Sequence, residues 1–573
     1  MKHTRLTLLA ASILAIAATS PSHAAPLKDK AYHFTIVHTN DHHGRFWKNN
    51  DGEYGLSAQK TVIDGIRADV KAHGGEVLVL SGGDINTGVP ESDLQDAEPD
   101  FKGMSKIGFD AMTLGNHEFD NPLPVLAKQQ KWANFPMLSA NVYRGGRPMF
   151  EPYKIFNKDG LKIAVMGLTT DDTKKMVSPE NLAYSDTWTS GRVVNPKSKA
   201  GLEFRSPIEV AGKLVPTLRK QADVVIAATH MGHYTNGNHG SNAPGDVEMA
   251  RAVSGIDLIV GGHSQNPVCM KAENDRNDAY VPGGECKPDR QNGTWIVQAH
   301  EWGKYVGRAD FTYKNGVLTL DKYALIPVNL KKTVKDAEGK SSKVLYTAEI
   351  PENPEMLALL KPFQDKGQQT LGVEIGSTLG LLDGDRTHVR AQPTNLGVMV
   401  AASMMQKVKA DFAVMNSGGV RDSIQAGKIT YKDVLKVQPF GNTLGYAQLS
   451  GKEVQDYLNA MAKMTPGSGA FPQFAGVRAT FENGEARDIK IGNAPLDMNK
   501  TYRMAVNDFS AAGGDGYPKL KGVNPTYVNT GFIDAESLKA FIQRNSPIDA
   551  SKYDPKDSIV RIGSVPTPTP AAK

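Results

Sequence analysis

The sequence predicts an α/β protein of at least two domains, on three observations. Short apolar runs recur through the first half, at Phe34–Val37, Val77–Leu80, Ala111–Leu114, Ile163–Leu168, Val224–Ala228 and Leu258–Val260. Continuous apolar strands of this kind are buried on both faces, which calls for helices packed on either side of a sheet. Segments of helical spacing stand between them. The chain also has 573 residues, more than one hydrophobic core usually organises.

Lys2 and Arg5, the apolar run Leu6–Ala18 and the small-residue exit Ser22-His23-Ala24-Ala25 read as a secretory signal peptide over residues 1–25. The run falls short of the ~20 residues that span a bilayer. No cysteine follows it, and the C-terminus, Pro-Thr-Pro-Thr-Pro-Ala-Ala-Lys, carries no apolar tail. An exported protein without a membrane anchor is expected. Losing Lys2 and Arg5 lowers the net charge of +5 by two, which leaves too little to argue for a nucleic acid polymer as partner. With 40% hydrophobic and 22% charged residues, the composition is that of an ordinary globular protein. Cys269 and Cys286, the two cysteines, predict one disulfide closing a surface loop in an oxidising compartment.

Each strand of the first half runs out into polar residues. Val37 is followed by His38-Thr39-Asn40-Asp41-His42-His43-Gly44. On an extended chain, residues two apart face the same side, so Asp41 and His43 reach one ion while His42 points away. Leu56 to Ala72 places Val62, Ile63, Ile66 and Val70 at helical spacing and stops at Gly74-Gly75. The next two strands end in Gly82-Gly83-Asp84 and in Gly115-Asn116-His117-Glu118-Phe119-Asp120. Ser206-Pro207 starts a helix carrying Ile208, Ala211, Val215 and Leu218. It feeds the strand ending in Thr229-His230, and Leu258–Val260 ends in Gly261-Gly262-His263-Ser264-Gln265.

In open α/β sheets the carboxyl ends of the strands share one edge. Asp41, His43, Asp84, Asn116, His230, His263 and Gln265 are therefore expected to converge as a metal site. One such histidine is more often a satisfied core or loop residue. Seven polar residues at equivalent positions would require that coincidence repeatedly.

From Asn353-Pro354, Met356, Leu357, Leu360 and Phe363 keep helical spacing, interrupted by Pro362 and followed by Lys366-Gly367, where a hinge is expected. Beyond this point the chemistry changes to arginines, glycines and aromatics. Gly384-Asp385-Arg386-Thr387-His388-Val389-Arg390 sets two arginines four apart, and Asn416-Ser417-Gly418-Gly419-Val420-Arg421 places a third after a glycine pair. The planar guanidinium fork matches phosphate. Gln438-Pro439-Phe440-Gly441-Asn442 and Asn507-Asp508-Phe509, with Gly513-Gly514-Asp515-Gly516, add two aromatics beside polar loops.

These motifs, in order, closely resemble those of the dinuclear calcineurin-like metallophosphoesterases, and within them the bacterial periplasmic UDP-sugar hydrolases/5′-nucleotidases. The resemblance spans nearly the whole mature chain. It implies an N-terminal metallophosphoesterase sandwich over 26–350, a linker helix and hinge over 351–370, a smaller α/β substrate-binding domain over 371–555 and a tail over 556–573. It implies two divalent ions (Zn, Mn or Co), one held by Asp41, His43 and Gln265, the other by Asn116, His230 and His263, with Asp84 bridging. Against a charge of +4, Asp41 and Asp84 subtract two, which leaves a net +2 to attract phosphate. His117 and Asp120 are implied as a catalytic dyad. Phe440 and Phe509 would sandwich a base, Asn442 read its edge, Asp515 hold the ribose, and Arg386, Arg390 and Arg421 grip phosphate. The expected protein is a monomeric periplasmic hydrolase of nucleotides and UDP-sugars. A 2′,3′-cyclic-nucleotide phosphodiesterase and a non-catalytic nucleotide-binding surface protein are the rivals.

Overall fold

The computed structural model describes residues 26–177, 179–182, 201–234, 243–336, 338–555 and 558–562. The expected signal peptide lies outside them, as does the expected tail apart from 558–562, where Ile559–Ile562 forms not a tail but a strand paired parallel with Val477–Glu482. β1 (Tyr32–Thr39) runs beside β2 (Glu76–Ser81), β3 (Ala111–Thr113) and β4 (Met137–Leu138), all parallel. The chain then crosses to a second sheet: β5 (Tyr153–Lys158), β6 (Leu161–Thr169), β7 (Val224–His230), β8 (Leu258–Val260), β9 (Asp289–Gln291) and β10 (Thr294–Val297). It returns through β11 (Tyr305–Lys314) and β12 (Val317–Pro327), which pair antiparallel on the free side of β1. The two six-stranded orders are β12-β11-β1-β2-β3-β4 and β9-β10-β8-β7-β6-β5.

The period of two along each strand decides the layers. Phe34, Ile36, Leu78 and Leu80 face Ile163, Val165, Val224, Ile226 and Leu258 in a core between the sheets. Their alternates look outward. Val37, Val79 and Met112 meet helices α1 (Leu56–Ala72) and α2 (Glu98–Ile107). Val225, Ala227 and Ile259 meet α3 (Pro207–Leu218) and α4 (Asp246–Ala252). The result is a four-layer helix–sheet–sheet–helix sandwich, and the continuous apolar runs are its buried strands. Ser206 caps α3 as expected, accepting from Glu209 N–H. Cys269 and Cys286 form the expected disulfide; in the chain-entropy view, closing a loop of this size contributes about 3 kcal/mol.

Asn353 caps α5 (Pro354–Leu371), accepting from Met356 N–H at 3.0 Å. Met356 and Leu360 pack into the first domain's helical layer. The interruption expected at Pro362 does not occur: the helix runs through Pro362 and Gly367. Gly367 lies inside it, and its lack of a side chain admits Glu91, whose Cγ would sit 2.6 Å from an added Cβ.

The second domain is built around a five-stranded sheet of β13 (Phe412–Asn416), β14 (Thr443–Ser450), β15 (Pro472–Ala475), β16 (Thr501–Asn507) and β17 (Val528–Ile533), ordered β15-β13-β16-β14-β17, with smaller sheets beside it. Helices Asn395–Lys407 and Asp534–Asn545 cover one face and Gly451–Ala462 the other. Side chains of the two domains touch. Lys432 and Gln368 both bind Glu91 Oε1, and Arg386 donates to Gln265.

Candidate active site

The loops leaving β1, β2, β3 and β8, with the last residue of β7, bring the seven expected ligands to one end of the sandwich. Asp41 and His43 do converge, with His43 Nε2 3.8 Å from Asp41 Oδ1. The extended-chain reason for it is wrong. β1 ends at Thr39, and both residues have φ of 51°. Asp84 (57°), His263 (81°) and Gln265 (55°) share this left-handed backbone. Such conformations cost about 1–3 kcal/mol each and cluster where function over-determines them. Here the loops brace each other: Asp41 N–H donates to Gly83 O at 2.9 Å and His43 N–H to Asp84 O at 3.1 Å. Gly115 is dictated by close approach, since a Cβ there would fall 2.1 Å from Asp84 Oδ1.

The imidazoles are held by carbonyls. His43 Nδ1 lies 2.8 Å from Thr87 O and 3.1 Å from Asn86 O, and His230 Nδ1 lies 2.6 Å from Gly82 O. Carbonyls only accept, so Nδ1 carries the proton in both rings and each Nε2 presents a lone pair to the site. His230 Nε2 stands 2.8 Å from Asp84 Oδ2 but out of hydrogen-bond alignment. Like Asp41 Oδ1 and Asn116 Oδ1, it is buried without a hydrogen-bond partner. Leaving such atoms unsatisfied costs about 1–3 kcal/mol each. All three are atoms that a cation would engage. Donor atoms of His43, Asp84 and His117, and of Asp84, His230 and His263, gather within 4.8 Å, with Asp84 common to both groups. This imidazole, carboxylate and amide set fits divalent metal ions.

The protein's own charges are in conflict here. Burial pushes Asp41 up to about 7. Burial also opposes ionisation of Asp84, yet His230 and His117 hold its carboxyl well below the usual range. Burial lowers His230, but among protein groups alone the charge of Asp84 overrides it and raises the imidazole to about 10, so Nε2 offers its lone pair only where a cation takes the place of that proton.

His117 Nδ1 is 2.5 Å from Asp120 Oδ2, and its Nε2 is 4.0 Å from Asp84 Oδ2. Burial lowers the His117 pKa, but Asp120 and then Asp84 outweigh it, so the balance among protein groups lies above the ordinary value. Thr87 Oγ1 donates to the same Asp120 oxygen at 2.6 Å.

A cavity of about 1290 Å³ opens over this cluster and is closed by the second domain. Of the sixteen residues expected at the site, thirteen line it; Asp41, His43 and His230 lie buried behind. Arg390 and Arg421 approach from the second domain. Burial first and Arg386 next lower both, Arg421 to about 10. Crowded guanidiniums of this kind favour an incoming anion. Asp515 accepts from Asn416 Nδ2 at 2.8 Å. Phe440 lies parallel to His117, with ring centroids 6.0 Å apart, and Phe509 packs on Gly514. Gln265 Nε2 is 2.7 Å from His43 Nε2, and its Oε1 takes the Arg386 hydrogen bond.

Three histidines left outside the expected site do stay outside the cavity lining. His42 binds Asp100 and Gln59, His233 binds Asp289 at 2.8 Å, and burial lowers His300 to about 4. Sequence reasoning passed over Glu118 and Asn40. One Glu118 carboxylate accepts N–H groups from Asp84, Ile85 and Gly115 and so ties two ligand loops together. Asn40 Nδ2 donates to Asp41 Oδ2 at 2.7 Å. Both sit inside the motifs, yet their residue types alone do not distinguish a brace from a solvated loop polar.

Residues 34–267 match the family described as calcineurin-like phosphoesterase, and residues 374–522 match the 5′-nucleotidase C-terminal domain. Protein UshA of Escherichia coli (strain K12) is 59% identical over 538 residues, covering 93% of this chain and 94% of that protein. A 5′-nucleotidase of Vibrio cholerae is 58% identical over 538 residues, with the same coverage of 93% and 94%. The crystal structure of a 5′-nucleotidase precursor from Thermus thermophilus superposes with a TM-score of 0.70 at 28% identity, covering 93% of this chain and 100% of that one. With its layered sandwich, its imidazole–carboxylate cluster and its second α/β domain, the chain belongs to the calcineurin-like phosphoesterases that carry a 5′-nucleotidase C-terminal domain.

Proposed function

We propose that the protein is an exported, dinuclear-metal phosphohydrolase that removes the 5′-phosphate of nucleotides and splits the pyrophosphate of UDP-sugars, in nucleotide salvage in the periplasm. The observation that carries this is the single cavity with ligand-type imidazoles and carboxylates on one wall and Arg390, Arg421, Phe440 and Asp515 on the other. Asp41, His43 and Gln265 would hold one ion, Asn116, His230 and His263 the other, and Asp84 both, because a carboxylate has two oxygens to share. When bound, two such ions supply positive charge to a phosphoryl group and acidify water.

The chain's own groups do the rest. Arg390 and Arg421 take the phosphate oxygens, Arg386 moves from Gln265 to substrate, Phe440 and Phe509 hold the base, Asn442 its edge, and Asp515 the ribose hydroxyls. His117, oriented by Asp120, presents Nε2 toward the phosphoryl oxygens or the leaving group. The domains are proposed at 26–350 and 371–555, joined by 351–370 and acting as a monomer. Since each contributes one wall, turnover requires them together.

Phosphate release from AMP, UDP-glucose, ATP and a 2′,3′-cyclic nucleotide, measured with Zn, Mn and Co in turn, tests the reading. Hydrolysis of AMP and UDP-glucose is expected. Preference for the cyclic nucleotide would favour the phosphodiesterase alternative, and nucleotide binding without turnover in any metal would favour a binding protein.

A further inference from the structure

Thr87 is a β-branched residue at φ 64°, buried in the loop after β2. Branched side chains rarely tolerate this left-handed region, so something in the surroundings holds it there. Two contacts do. Its carbonyl accepts from His43 Nδ1 at 2.8 Å, and its hydroxyl donates to Asp120 Oδ2 at 2.6 Å. That same oxygen faces His117 Nδ1 at 2.5 Å. The loop around Thr87 is itself pinned: Asn86 N–H reaches Glu118 and Gly88 N–H reaches Asp93.

We propose that Thr87 is a positioning residue that sets two imidazoles with one strained backbone unit. Its carbonyl fixes the ring of His43, and its hydroxyl fixes the Asp120 carboxylate and, through it, the ring of His117. Asp120 has two donors on one oxygen, and the angle between them defines the plane of its carboxylate. With the hydroxyl removed, the carboxylate is free to rotate about its own bond and His117 follows. His43 would be unaffected, because the carbonyl remains. The hydroxyl therefore serves the dyad, and the backbone serves the metal ligand. This rests on the functional reading above for the role of His117, while the orientation itself is testable without it.

Thr87→Val keeps shape and branching and deletes only the hydroxyl; Thr87→Ser keeps the hydroxyl. On the metal-loaded full chain with AMP, Thr87→Val is expected to lower kcat about 10- to 100-fold, the scale of a small misplacement at a reacting centre. KM and metal content should stay within about twofold of wild type, and Thr87→Ser should stay within about threefold in kcat. In an Asp120→Ala background, adding Thr87→Val should cost nothing further. In the metal-free protein labelled with ¹⁵N-histidine, the Nδ1 proton resonance that disappears in His117→Ala should shift in Thr87→Val and hold in Thr87→Ser. If the valine variant does not fold, Thr87→Ala takes its place.

A wild-type kcat in Thr87→Val would overturn the proposal. So would equal losses in the serine and valine variants, full additivity with Asp120→Ala, or an unmoved resonance. Should wild type release no phosphate from any nucleotide, the functional reading fails, and the imidazole resonance still decides the role of Thr87.

Discussion

On one side of the cavity Asp84 and Asn116, with Asp41 and His230 behind them, are buried, and the loops of Asp41 and Asp84 are strained and brace each other. On the other, Arg386 is exposed, and Arg390, Arg421 and Phe440 are half-buried on loops rich in glycine. The contrast follows from what each wall meets. Cations demand donor atoms held within fractions of an ångström, so that wall spends backbone strain and orphaned polar atoms on rigidity. A nucleoside is large and variable, and stacking on an aromatic ring tolerates any base. The first wall is therefore preorganised and the second adaptable.

The largest effect is expected at Asp84, the one residue common to both candidate ligand groups among the described residues. Asp84→Ala is expected to lower kcat/KM by at least about 10³-fold, the scale of removing one preorganised electrostatic group. Elemental analysis should show the metal content falling with it. Activity surviving at full loss of metal would mean that the rigid wall is not catalytic. A smaller effect is expected from Phe440→Ala on the adaptable wall: KM for AMP rising roughly 5- to 150-fold, from the loss of about 1–3 kcal/mol of stacking, with kcat and metal content little changed. A fall in kcat without a rise in KM would instead place Phe440's contribution in its contact with His117.

Asn116→Asp sharpens the contrast further. It keeps the proposed ligand oxygen but would subtract a charge from the +2 that the proposed two-ion cluster offers to phosphate. A loss of roughly tenfold in kcat, about 1.4 kcal/mol, is expected, at metal occupancy equal to wild type. Unchanged turnover would show that net charge is not what matters. The last effect is thermal and is read on stability rather than on turnover. Chelation should destabilise the first domain by about 2.7 kcal/mol relative to protein at a hundredfold metal excess over Kd. The second domain's melting should not move. Calorimetry showing both transitions shifting together would mean that the walls are not independent.

Much of the fold was legible in the residues. Apolar strands without alternation announced two-sided burial, and Ser206-Pro207 and Asn353-Pro354 announced helix starts, because these signals are local. The helix carried on through Pro362, where the local signal misled, because packing of Met356 and Leu360 on the first domain outweighs one lost hydrogen bond. The identity of the expected ligands was written at the strand ends. Their convergence was not, and the period-two argument for Asp41 and His43 gave the right neighbours by the wrong geometry.

By itself, the sequence determined which residues are candidates for the chemistry, since residue type and placement at strand ends are one-dimensional facts. Tertiary structure decided how they are held. The left-handed turns at Asp41, His43 and Asp84, the Glu118 brace, the two-way bond of Thr87 and the seating of Phe440 against His117 all depend on loops distant in sequence meeting in space. No local propensity encodes such meetings. They arise when two sheets share one core and bring their carboxyl edges to the same end.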